Sequence, residues 1–140
     1  MAHSRSRFWP AGLRVVVRVD GPQTGGDYSV IEIEAADACA VATHVHRDED
    51  EQIVVLDGEL EVSRRIGSTR YGPGETVVLV AGAPHGLTIG AGARFLWLFR
   101  PAGLESVLAK LAEGELDDDD TAALLAAAGV TVLPAPPTSG

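Results

Sequence analysis

Up to about residue 100, short β-branched runs are separated by glycine turns; beyond it, leucine and alanine recur at helical spacing. From Leu13 to Val19, Leu and Val positions alternate with Arg14, Val16 and Arg18, and from Tyr28 to Glu34 Ile31 and Ile33 alternate with Glu32 and Glu34. Each run predicts a strand with one buried face. Further strands are predicted at 38–46, 51–56, 59–65, 75–80, 85–89 and 93–100, making about eight. Asp57-Gly58 stands between two of them and reads as the two-residue loop of a type I′ hairpin, which needs positive φ. After Arg100-Pro101, the spacing Leu104, Val107, Leu108, Leu111 predicts an amphipathic helix that stops at Gly114. A second helix is predicted over Thr121 to Ala128, with Asp117 to Asp120 at the positive end of its dipole and Gly129 as its C-cap. Capping outweighs a metal-binding reading of those four aspartates. The end, with Pro134, Pro136 and Pro137, is expected to be an extended tail over 130–140. Many short strands with helices only after them predict an all-β antiparallel sandwich or barrel, organised as one domain over 1–140.

Composition narrows the function. With 11 basic and 20 acidic residues the net charge is −9, so phosphate backbones and anionic membranes are repelled, and neither nucleic acid nor a membrane is an expected partner. Hydrophobic residues make up 46% of the chain, enough for a core. The longest nearly apolar run, Val77 to Pro84, is far short of the roughly 20 residues that span a bilayer. One cysteine, Cys39, cannot form an internal disulfide, and no apolar stretch follows the first residues, so a cytoplasmic protein is expected. Arginine outnumbers lysine ten to one, which points to a GC-rich, bacterial genome.

The candidate chemistry lies in the rare residues. Three of the four histidines, His44, His46 and His85, fall in or at the mouths of predicted strands, whereas His3 is near the start of the chain. Residues two apart on a strand share a face, so His44 and His46 present two imidazoles in one direction, which is ligand geometry for a divalent metal. Glu51 opens the next predicted strand and would add a carboxylate if the two strands pair, with Glu49 and Asp50 as its competitors. A merely solvated His-x-His face is the plainer alternative. Against it, Val41, Val45, Ile53, Val55 and Leu87 give these residues apolar neighbours, and buried imidazoles without partners are costly. Cys39 lies an odd number of positions from His44, so on a regular strand it faces away and is packed and inert. Phe95, Trp97 and Phe99 share one face and read as core before pocket wall. Arg14 and Arg18 share a face and read as surface or interface residues before an anion site.

His44-x-His46, four residues, Glu51, six residues, Gly58 resembles the first sequence motif of the cupin superfamily. Gly74, five residues, Val80-Ala81-Gly82, two residues, His85, three residues, Ile89 resembles the second. Ala38, Val80 and Ile89 depart from the pattern, at turn and packing positions that usually hold glycine, proline and asparagine. The resemblance covers about residues 28 to 100. It implies a double-stranded β-helix, or jelly-roll barrel, over about 10–100, with the C-terminal helices over 101–129. It also implies a site of His44, His46, Glu51 and His85 holding one divalent transition metal: Fe, Mn, Ni, Zn, Co or Cu. Gly25-Gly26-Asp27-Tyr28, Val55-Leu56-Asp57-Gly58-Glu59 and the Arg100 to Glu105 exit are similar to the small bacterial cupins called quercetin-dioxygenase-like. The implied function is a metal-dependent enzyme that acts on a small oxygenated organic molecule by dioxygenase-type oxidation, with Glu51 as a ligand or a general base. A non-redox cyclase, isomerase or decarboxylase and a non-catalytic ligand-binding barrel are the alternatives. A homodimer is implied as well, in keeping with the exposed sheet edges of a small sandwich.

Overall fold

The computed structural model describes residues 8–134. The strands are β1 (Leu13–Val19), β2 (Ser29–Ala35), β3 (Cys39–His46), β4 (Asp50–Asp57), β5 (Leu60–Arg64), β6 (Ser68–Tyr71), β7 (Thr76–Leu79), β8 (His85–Ile89), β9 (Arg94–Arg100) and β10 (Val130–Val132), with α1 (Leu104–Ala112) and α2 (Asp118–Ala127) between the last two. They form two five-stranded antiparallel sheets in the orders β1-β2-β9-β4-β7 and β10-β3-β8-β5-β6. This is the double-stranded β-helix, with a short helical part near the C-terminal end of the described chain. No described helix is long and apolar enough to cross a membrane.

Alternation sets what faces inward. Ile31 and Ile33 of β2, Ile53 and Val55 of β4, and Phe95, Trp97 and Phe99 of β9 are buried on one inner face; Val41, Leu60, Val62, Leu87 and Ile89 are buried on the other. At about 25 cal/mol per Å² of buried apolar area, side chains of this size dominate the favourable side of folding. The three aromatics of β9 are therefore core, with ring centroids 6.0 Å apart for Phe95 and Trp97 and 5.1 Å for Trp97 and Phe99.

Helix α1 follows the periodicity, and α2 begins at Asp118, three residues before the expected Thr121. In α1, Leu104, Leu108 and Leu111 are buried, and Gly114 carries the chain out at φ 75°. In α2, the Asp117 side chain caps the helix by accepting from Asp120 N at 2.8 Å, and Gly129 follows at φ 80°. Arg14 and Arg18 are exposed and pair across to Glu34 and Glu32 of β2, at 3.3 and 3.1 Å.

Four local expectations are corrected. Asp57-Gly58 is not a hairpin turn: β4 pairs with β7 and β9 while β5 pairs with β6 and β8, so here the chain steps from one sheet to the other. Gly58 is needed for φ 74° and because a Cβ there would lie 2.7 Å from Ala93 Cα. Likewise β3 and β4 do not pair, so Glu51 meets the histidines from the facing sheet. Residues 130–132 are not tail but the edge strand β10, which pairs Val130 with His46 and Val132 with His44; Pro136 and Pro137 lie outside the described residues, as does His3. Finally, β3 is irregular. A register shift between Val41 and His44 puts both of these buried residues on the inner face although they are three positions apart. Cys39 therefore shares the face of Val41, packing half-buried against the core instead of facing away, and burial pushes its thiol pKa up.

Candidate metal centre

At one end of the space between the sheets, polar side chains replace the apolar ones. His44 and His46 come from the end of β3 and His85 from the start of β8, with His44 directly opposite His85 in the ladder. Glu51, near the start of β4, reaches them from the other sheet. One donor atom from each of these four residues lies within 4.8 Å of the others, and all four side chains are buried. Glu51 Oε2 is 3.4 Å from His46 Nε2 and 3.2 Å from His85 Nε2. Donors sharing one ion at bonds of about 2.1 Å stand about 3.4 Å apart in a tetrahedron, so these separations suit a common cation.

The unpaired atoms point the same way. His46 Nε2, His85 Nε2 and Glu51 Oε2 are buried without a hydrogen-bond partner, and so are His46 Nδ1 and His85 Nδ1. Buried polar atoms cost about 1–3 kcal/mol each when left unsatisfied, and of these five the two Nε2 atoms and Glu51 Oε2 face one another, as donors to a shared ion would. The group could hold a divalent metal; three imidazoles and a carboxylate do not choose among Fe, Mn, Ni, Zn, Co and Cu.

Neighbouring groups set the orientation. His44 Nδ1 lies 2.7 Å from the Ala42 carbonyl and donates to it, which leaves Nε2 as the free lone pair. Burial, with the adjacent His85 and His46, pushes the His44 pKa down to about 3, against the pull of the Ala42 carbonyl, so its imidazole is neutral at pH 7. Trp97 Nε1 donates to Glu51 Oε1 at 2.9 Å, turning Oε2 toward the histidines. Glu49, weighed from sequence as a rival to Glu51, is also buried, but its Oε2 stands 3.6 Å from His46 Nδ1, on the side away from Glu51. Asp50, the other rival, is exposed and accepts from Ala81 N at 2.8 Å. Phe8 packs edge-on against His44, with ring centroids 5.2 Å apart. Val45, between the two histidines, is only partly buried and belongs to the other face of β3.

The sequence reading placed Trp97 only in the core or a pocket wall. Its hydrogen bond joins residues from different strands, and the one hint is that Trp97 is the single member of the Phe95, Trp97, Phe99 stripe with a donor to satisfy. Glu49 as a neighbour of His46 was equally hidden, because it requires the 47–49 turn to fold inward.

Comparison with known proteins adds the family. The family model described as "Cupin domain" matches residues 30–99, which contain all four clustered residues. Among solved structures, KdgF from Halomonas sp. superposes with TM-score 0.62 at 19% identity, over 74% of this chain and 93% of that one. The polyketide cyclase RemF from Streptomyces resistomycificus gives TM-score 0.56 at 23% identity, over 70% of this chain and 73% of that one. A sugar phosphate isomerase of the cupin superfamily from Silicibacter pomeroyi gives 0.56 at 20%, over 71% of each chain. At these identities the likeness is one of fold. No curated protein matches the sequence.

Proposed function

Since this chain belongs to the cupin family, we propose that it is a metal-dependent enzyme in which His44, His46, Glu51 and His85 hold one divalent transition metal, and that it oxidises a small oxygenated organic molecule with dioxygen. The observation that carries this reading is the convergence of unpartnered donors, His46 Nε2, His85 Nε2 and Glu51 Oε2, in a buried cluster. When bound, the metal would supply Lewis-acid polarisation of a substrate oxygen and, if redox-active, electron exchange with dioxygen. The chain's own groups do the rest. Neutral His44 offers Nε2 while Ala42 holds its Nδ1 proton, and Trp97 fixes the rotamer of Glu51. Glu51 is the one acid whose oxygen faces the cluster centre, so it is the group to bind there through Oε2 and to take up or return a proton during turnover. Within the family, we place the chain with the small bacterial proteins called quercetin-dioxygenase-like, on the runs 55–59 and 100–105. The edge strands β1 and β7, beside which no further strand lies among the described residues, support a homodimer as part of the proposal, for sedimentation to check.

A second reading keeps the site and drops the oxidation, leaving the metal as a Lewis acid only. It is favoured by the structural neighbours named as a polyketide cyclase and a sugar phosphate isomerase. The deciding experiment is elemental analysis of protein purified without chelator, beside a His44→Ala/His46→Ala variant. About one equivalent of transition metal, lost in the variant, is expected from a four-donor site of this kind; no metal in either, with none taken up on reconstitution, overturns the metalloenzyme and leaves a ligand-binding barrel. Oxygen consumption with candidate substrates then separates the oxidative from the non-redox reading.

A further inference from the structure

Nine basic side chains fall among the described residues, and seven of them have a carboxylate partner: Arg14, Arg18, Arg47, Arg70, Arg94, Arg100 and Lys110. The two without one are Arg64 and Arg65, adjacent in a chain whose net charge is −9. In a protein with so many acids, two neighbouring guanidiniums left without a carboxylate need a reason.

Their position supplies one. In β5, Leu60 and Val62 are fully buried between the sheets and stand opposite Ile89 and Leu87 of β8; the next residue in that alternation is Arg64, opposite His85. Arg64 is therefore on the same face as the buried cluster, directly opposite a member of it, at the rim where the strand becomes exposed. Just beyond, a tight turn closed by Arg64 N to Gly67 O at 3.0 Å brings round Arg65 and Ile66, the latter 91% exposed. This turn faces the end of β7 and the β7–β8 loop across a groove of about 530 Å³, lined by Arg64, Arg65, Ile66, Val78, Val80 and Pro84 and reaching His85. Val78 and Val80 are also more than half exposed, so the groove offers an apolar wall beside a basic one. A hydrophobic surface of this kind next to unpaired charge marks a binding site more often than a bare surface.

We propose that this groove is the substrate entrance and that it selects a small organic acid with an apolar body, its carboxylate held by Arg64 with Arg65 in support and its body against Ile66, Val78, Val80 and Pro84. The inference rests on the reading of the buried cluster as the reaction site and adds the substrate class. Guanidinium and carboxylate match as a bidentate pair, and charge-assisted hydrogen bonds are about twice as strong as neutral ones. The overall negative field of the chain opposes an approaching anion, but at physiological salt it is screened over about 8 Å, so contact with the two arginines decides the outcome. Ser63 Oγ and Thr43 Oγ1 approach Gly86 so closely that a Cβ there would meet them at 3.0 and 2.9 Å, which keeps β8 bare beside His85.

The test is a backbone-amide NMR titration of the full chain, its metal content measured beforehand and exchanged to Zn(II) where a paramagnetic ion is bound. The probes are benzoate, its neutral analogue benzamide, acetate and inorganic phosphate. Benzoate is expected to shift residues 64–67 and 78–85 saturably, and to bind at least about tenfold more tightly than the other three. Arg64→Gln is expected to weaken benzoate about tenfold, Arg65→Gln less, and Ile66→Ser to bring it toward acetate, while Arg14→Gln on the far strand changes nothing. Benzamide binding as well as benzoate, indifference to Arg64→Gln, shifts confined to another surface, or no saturable shift each overturn the proposal; phosphate or acetate matching benzoate overturns the apolar body. A sample that holds metal but ignores benzoate overturns the groove alone, and one that holds no metal yet binds benzoate through Arg64 supports the groove while removing the metal reading.

Discussion

Of the three buried carboxylates among the described residues, Glu51 at 2% exposure and Glu105 at 6% have opposite surroundings. At the start of α1, Glu105 Oε1 accepts from Gly103 N at 2.6 Å and Oε2 from Gly21 N at 2.7 Å, which ties the helix to the turn after β1. Burial alone would raise its pKa, but the backbone N–H groups, Gly103 first, win and hold it below the ordinary carboxylate range. Glu51 has one such partner, Trp97, and its second oxygen faces two imidazole nitrogens without hydrogen-bond geometry to either. Glu105 is thus satisfied by its own chain, whereas Glu51 is left half satisfied, a cost that the proposed metal would offset.

The contrast is broken most severely by adding metal. At about a thousandfold excess of free Zn(II) over its dissociation constant, stability should rise by about 4 kcal/mol in urea denaturation. Chelator or Glu51→Gln should erase that gain, whereas Glu105→Gln should leave it in place. Next in size, Glu105→Ala strands the Gly21 and Gly103 amides and is expected to cost about 1–3 kcal/mol at pH 7. Because the folded carboxyl sits below its ordinary value of 4.5, its contribution is complete above that pH and disappears as pH falls through the folded value. Urea midpoints measured down to acid pH should therefore fall less steeply for Glu105→Ala than for the parent. Trp97→Phe keeps the core filled but frees Glu51, and competition against a chelator should show metal affinity lower by about tenfold or more. The smallest effect sharpens the contrast most. In metal-free protein, His85→Leu should change stability by about zero or raise it, since it removes a side chain with both nitrogens unpaired. A large loss there would show that His85 is structural.

The same contrast separates what could be read from sequence from what could not. His44 and His46 were legible because histidine is scarce here and strand alternation places residues two apart on one face, whereas Glu51 and His85 joined them through the resemblance to the two cupin motifs. Glu105 was not, since one of its two partners, Gly21, lies in a turn more than eighty residues away. The strands with one buried face were found, while β6 was missed because Ser68, Thr69 and Arg70 are exposed and only Tyr71 is partly buried. Strand β10 was missed because three residues after a glycine carry too little pattern, and only pairing with β3 makes them a strand. Asp57-Gly58 was misread because its glycine serves a close approach to Ala93, not a local turn between paired strands. Cys39 was put on the wrong face by counting, because one irregularity in β3 moves every side chain before it to the opposite parity.

Phe8 against His44, and the near-complete burial of all four clustered side chains, also set a clock. With the proposed metal in place, exchange at so buried a cluster would require the packing around it to open, at Phe8 or where the groove reaches His85, and its rate would belong to that opening. Removal by a chelator is expected to reach a plateau rate as chelator concentration rises, and Phe8→Ala to raise the plateau while Trp97→Phe mainly shifts the equilibrium. How tightly an ion is held and how long it stays would then be set by different residues.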